Sequence, residues 1–124
     1  MFCFKGNNQN LGALDQKLSG VEYGTVTVSP TVSTDLKYVY KRNNIAYLCI
    51  HGKTTEDLYA NGTGHFQISI LPPGDTYIPY FIQKGDSTRV QMALIDKNGL
   101  ISLTNKENIN SGETFLFYTN FLLG

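Results

Sequence analysis

The sequence predicts an all-β domain, an antiparallel β-sandwich of jelly-roll type, with a short helical segment ahead of it. Three observations point there. From Gly20 onward, Gly, Asn, Asp and Pro punctuate short runs rich in Val, Ile, Thr, Tyr and Phe, residues that suit a pleated, half-buried surface. Turn signals recur about every 8 to 12 residues, the spacing of a sandwich or barrel. The chain has 124 residues, 41% of them hydrophobic and 12% aromatic. That is enough to close one core and too little for two.

The first 19 residues stand apart. Leu11, Leu14 and Leu18 are spaced as a and d positions of a heptad. Asn10 can cap the turn and Gly20 can stop it. So short a helix is marginal alone. Residues 1–19 therefore read as the end of a helical stalk that meets partner helices, and residues 20–124 as the head. A lone amphipathic turn packed on its own domain is the alternative.

The strands follow in order. Thr25 to Val28 alternates. Leu36, Tyr38 and Tyr40 share one face, with Lys37 and Lys41 opposite. Asn43-Asn44 tolerates positive φ, and Ile45 to His51 returns, so residues 36–51 form a hairpin. Phe66, Ile68 and Ile70 alternate with Gln67 and Ser69. Leu71-Pro72-Pro73-Gly74 ends that strand. Tyr77 to Gln83 resumes, with Pro79 marking an edge or bend. After a turn at Gln83 to Asp86, Arg89 to Ile95 is a strand with Val90, Met92 and Leu94 inward. Asp96-Lys97-Asn98-Gly99 is a type I turn with a bulge glycine. Leu100 to Leu103 comes back, Asn108 to Gly112 is a polar loop, and Thr114 to Leu123 is the last strand.

That last run is apolar on both faces. Phe115, Phe117 and Phe121 share one side, while Leu116, Tyr118 and Leu122 share the other. A sandwich strand normally keeps one polar face, and large apolar side chains left in water invite association. Phe115, Phe117 and Phe121 are expected at a subunit interface, together with Leu11, Leu14 and Leu18. A central strand covered by loops is the alternative.

Charge and chemistry exclude several functions. Ten Lys and Arg balance ten Asp and Glu, leaving no basic footprint for nucleic acid. No apolar run approaches the roughly 20 residues that span a bilayer, and the opening residues have no apolar stretch, so neither membrane insertion nor a secretory leader is expected. Cys3 and Cys49 are too few for a disulfide scaffold, and Cys49 in Tyr47-Leu48-Cys49-Ile50 reads as a buried thiol. No metal-ligand spacing and no cofactor motif is present. His51 and His65 read as structural histidines. Ser69 lacks a nucleophile elbow, Glu56 and Asp57 would point to opposite faces of a strand, and Gly62-Thr63-Gly64 lacks the Lys and helix of a phosphate cradle. No catalysis is expected.

Sugar binding needs an aromatic face for the ring and polar side chains for the hydroxyls. The segment 57–65 offers both in Asp57, Tyr59, Asn61 and His65. Tyr77, Tyr80, Asp86 and Arg89 add further candidates.

At Leu71-Pro72-Pro73-Gly74, followed by Tyr77 and Pro79, the sequence resembles the turn in C-terminal head domains of bacteriophage tail fibres and baseplate receptor-binding proteins. Asp96 to Leu103 is similar to the strand, glycine, isoleucine segment of those heads, and Ser111-Gly112-Glu113-Thr114-Phe115 to their entry into the last strand. The resemblance covers roughly residues 20–124. Asp75 and Thr76 are extra, and Ile78 stands where the family has Arg. The resemblance implies a homotrimeric, non-catalytic head on a stalk. It would sit on the virion beside other baseplate or fibre proteins and attach to saccharide or teichoic acid of the host wall. A trimeric structural cap, a protein-binding module of the tumour-necrosis-factor or C1q type, and a glycan depolymerase with its site between subunits are the alternatives.

Overall fold

The computed structural model describes residues 20–60, 64–104 and 108–124. The stalk leucines Leu11, Leu14 and Leu18, and the candidate ligand residue Asn61, lie outside the described residues. The described residues form nine strands and no helix. They are β1 (Val21–Tyr23), β2 (Val26–Val28), β3 (Val32–Arg42), β4 (Ile45–Thr54), β5 (Gly64–Ile68), β6 (Thr76–Lys84), β7 (Ser87–Ile95), β8 (Leu100–Leu103) and β9 (Thr114–Leu122). All pair antiparallel in one sheet of order β1-β3-β4-β9-β6-β7-β8-β5-β2.

Turn chemistry sets the hairpins. Asn43 takes φ 57° between β3 and β4, a conformation asparagine tolerates better than most residues. Gly99 takes φ 83° between β7 and β8, where the Asp96 carboxylate accepts the amides of Asn98 and Leu100. A Cβ at Gly99 would lie 2.2 Å from the Ile68 carbonyl, so this turn needs glycine for space as well as for φ.

The two ends of the sheet meet. Residues 21–28 run almost continuously, with β1 paired to β3 and β2 paired to β5. At the changeover the Gly24 amide donates to the Val39 carbonyl, and the Thr25 amide to the Ser69 hydroxyl. A Cβ on Gly24 would approach Ser69 Oγ to 2.5 Å, so the seam closes only around a residue without a side chain. The sheet thus curls over one interior. Phe66 of β5 meets Phe115 and Phe117 of β9 with ring centroids 5.5 and 5.2 Å apart, and Tyr80 of β6 stacks on Phe117 at 4.7 Å.

Three expectations change. Phe115, Phe117 and Phe121 are core residues of this single chain. They cannot form a surface between subunits, because Ile50, Phe66, Tyr80 and Ile82 already enclose that side of β9. In β7 the phase is opposite to the apolar pattern. Ala93 and Ile95 point inward with Gln91, whereas Val90 is 58% exposed and Met92 is also exposed. Register with β6 decides this. Ile78 and Ile82 face the core, and they pair with Ala93 and Arg89. Cys49, finally, is buried but is not a thiol. It takes part in a disulfide.

Candidate functional site

The candidate ligand residues do not converge. Tyr80 is fully buried and serves the core. Arg89 points its guanidinium inward onto Glu113, with Nη1–Oε2 at 3.1 Å and Nη2–Oε1 at 3.3 Å. Glu113 is 2% exposed and also accepts the Asn110 amide. Burial, the largest influence, pushes its carboxyl up. The hydrogen bonds from Arg89 and from the Asn110 amide outweigh it and hold the group below its ordinary value of 4.5. Arg89 therefore fastens the loop before β9. Asp57 has a similar task, its carboxylate accepting the Ser111 amide. Asp86 is exposed in the β6–β7 turn. Seven residues along β6 separate Tyr77 from Lys84, which at about 3.3 Å each is on the order of 23 Å. Asp86 and Tyr77 belong to opposite ends of the sheet.

His65 sits at the start of β5, and its Nε2 contacts the Tyr59 carbonyl at 2.9 Å. His51 is held by Asp35 at 2.6 Å, on the residue that bulges β3 between Thr34 and Leu36. Among the described residues no group of three or more His, Cys, Asp or Glu could hold a metal ion. No helix there is long and apolar enough to cross a membrane.

What the fold does bring together is a cleft of about 680 Å³ on the outer face of β7 and β8. Leu94 and Leu100 line it, with Asp75 and Asp96 at one end and Ser102 and Thr104 farther along. The pairing of Thr76 with Ile95 explains the two carboxylates, since it sets the residue before β6 beside the residue after β7. Ala60 completes the wall from the other side. Its amide is anchored to the Asn108 side chain, and Leu58 bridges Ile109, so this segment is fixed in place. Two exposed tyrosines neighbour lining residues in the chain or in register. Tyr59 precedes Ala60, and Tyr77, 65% exposed, pairs with Leu94 across the strands. None of the expected ligand residues among the described ones lines this cleft itself; Tyr77 is the register partner of Leu94, and Tyr59 is the chain neighbour of Ala60. Asp96, Ser102 and Thr104 were not foreseen. The turn Asp96 to Gly99 was legible in sequence, but its proximity to Asp75 depends on strand pairing.

No family model matches the sequence, and no curated protein matches it. Among solved structures, the chain is similar to the head domain of the lactococcal phage bIL170, described as one of the receptor-binding domains of lactococcal phages. The likeness has a TM-score of 0.54 and 12% sequence identity, over 84% of this chain and 99% of that one. At that identity the likeness is one of fold, and in fold this chain resembles a phage receptor-binding head domain.

Proposed function

We propose that this chain is the receptor-binding head of a phage fibre or baseplate, a non-catalytic module that binds cell-surface saccharide and works as a homotrimer on the virion. The observation that carries the reading is the β7–β8 cleft. Its hydroxyls and carboxylates can receive sugar hydroxyls, and Tyr77, exposed and paired with the lining residue Leu94, offers a ring to cover the apolar face of a sugar. Asp75 and Asp96 disfavour a phosphate chain, so the ligand is a saccharide without dense phosphate rather than the backbone of a teichoic acid. Binding of purified protein to host cell walls tests this. Tyr77→Ala should weaken that binding about tenfold. Wild-type binding by Tyr77→Ala, or no binding by the parent protein, sinks the reading. Release of new reducing ends from the wall would favour a depolymerase instead.

The surface for assembly is the outer face opposite the phenylalanines. Phe81 pairs with both Leu116 and Val90, and Pro79 with Met92, so Leu116, Phe81, Val90 and Met92 form one apolar patch across β9, β6 and β7. Phe81, Val90 and Met92 are exposed in a single copy, and contiguous patches of this kind mark association surfaces. The mass in solution should be near three chains. Val90→Asp should bring it toward one chain while leaving the fold intact. A monomeric parent protein would overturn the assembly.

A further inference from the structure

Five of the eight tyrosines gather on the outer face of β1, β3, β4 and β9, away from the cleft. Register places Tyr23 opposite Tyr40, Tyr40 opposite Tyr47, and Tyr47 opposite Asn120. Tyr38 and Tyr118 flank Cys49 in the neighbouring row. Tyr40 stacks on Tyr47 with centroids 5.0 Å apart and an interplanar angle of 21°. Tyr38 and Tyr23 lean on the same ring at 5.9 and 5.5 Å. The mutual contact holds the rings in place before anything binds. Between them lies a cavity of about 160 Å³, walled by Tyr38, Tyr40, Tyr47, Tyr118 and Asn120.

We infer that this cavity is a second saccharide subsite that takes one neutral sugar ring. The inference rests on the reading of the chain as a saccharide-binding head and adds a site to it. Five properties support the assignment. Phenol rings offer apolar faces of the kind that cover the C–H face of a pyranose. The phenol hydroxyls and the Asn120 amide supply donors and acceptors for sugar hydroxyls. No charged side chain among the described residues lines the cavity, which fits an uncharged ligand. Its volume corresponds to about five water molecules, the scale of a single ring and not of an extended chain. Prior stacking of the rings lowers the ordering cost of binding. Burial, and after it the neighbouring hydroxyls of Tyr118 and Tyr40, push the Tyr38 phenol up to about 12. The phenol therefore keeps its proton, and can both donate and accept, at any pH the protein meets.

The chain contains no tryptophan, so its intrinsic fluorescence reports tyrosine alone. The experiment titrates the full chain with glucose, galactose, rhamnose and N-acetylglucosamine while following that fluorescence. At least one sugar should give a saturable change. Asn120→Ala and Tyr47→Ala should each weaken it about tenfold, or abolish it. Asn120 is exposed, so its variant folds even if the loss of Tyr47 disturbs packing. Tyr77→Ala, altered at the cleft, should leave in place the part of the signal that Asn120→Ala removes. No saturable signal with any of the four sugars, or a signal that survives Asn120→Ala at parental affinity, overturns the subsite. If that happens in protein that still binds cell walls, the receptor-binding reading stands without it. If cell walls are not bound either, the reading beneath it falls as well.

Discussion

Replacing Phe117 with alanine should cost the fold about 3 to 5 kcal/mol. The side chain is 0% exposed and meets Phe66, Phe115 and Tyr80 at once. It also sits on β9, between β4 and β6 near the middle of the sheet. Removing the ring leaves a hole that three neighbouring rings cannot all relax to fill. A fall in Tm on the order of 10 to 20 °C is expected. The loss should be the same at low and high protein concentration, because one chain builds the whole of this core. A loss that vanishes at low concentration would return Phe117 to a contact between copies, and an unchanged Tm would remove it from the core.

The second large effect belongs to Glu113→Gln, at about 3 kcal/mol, the lower end for breaking a buried pair from one side. The lower end applies because Arg89 is 33% exposed and water screens part of its charge. Glutamine can still accept the Asn110 amide, so the loss reads the charge and not the loop bond. The acid dependence has a definite sign. The Glu113 carboxyl is held below its ordinary 4.5 in the folded chain. The stability it contributes is complete above that value and disappears as the pH falls through the folded value. Denaturation midpoints of parent and variant should differ most at neutral pH and converge in acid. A constant gap across that range would mean that the Arg89 contact does not set the carboxyl's charge.

Most of the strand pattern was open to a reading of residue types. Asn43, Gly85 and Gly99 all adopt the positive φ that their turns require, and alternation in β5 gives the correct inner face. The expected strand at Phe66 to Ile70 stops at Ile68, and at the seam the Ser69 hydroxyl takes the place of a backbone carbonyl, accepting the Thr25 amide while the Ser69 amide donates to the Thr25 carbonyl. In β7, hydrophobicity pointed the wrong way. Val90 and Met92 are more apolar than Arg89 and Gln91, yet Arg89 goes inward because Glu113 is there to neutralise it. That partner is 24 residues away in the chain, and no local pattern announces it. Once β7 is turned, the surplus apolar side chains lie on the outer face, where Leu116 and Phe81 join them. The double-faced character of β9 was legible, but which face the chain covers for itself was not, since strand order settles that. The cleft was hidden for a similar reason. Asp75 and Asp96 become neighbours only when β6 and β7 zip together, and the tyrosine cluster depends on the pairing of β3, β4 and β9.

The run through Gly24 has a consequence for how copies of this molecule behave side by side. Its first half bonds to one margin of the sheet and its second half to the other, so the two outermost strands are only three residues each and run on into one another. Outermost strands so short give crowded molecules little to pair with strand by strand, the route by which open sheets grow into fibrils. Neighbours are left to touch through side chains, which can be chosen for specificity.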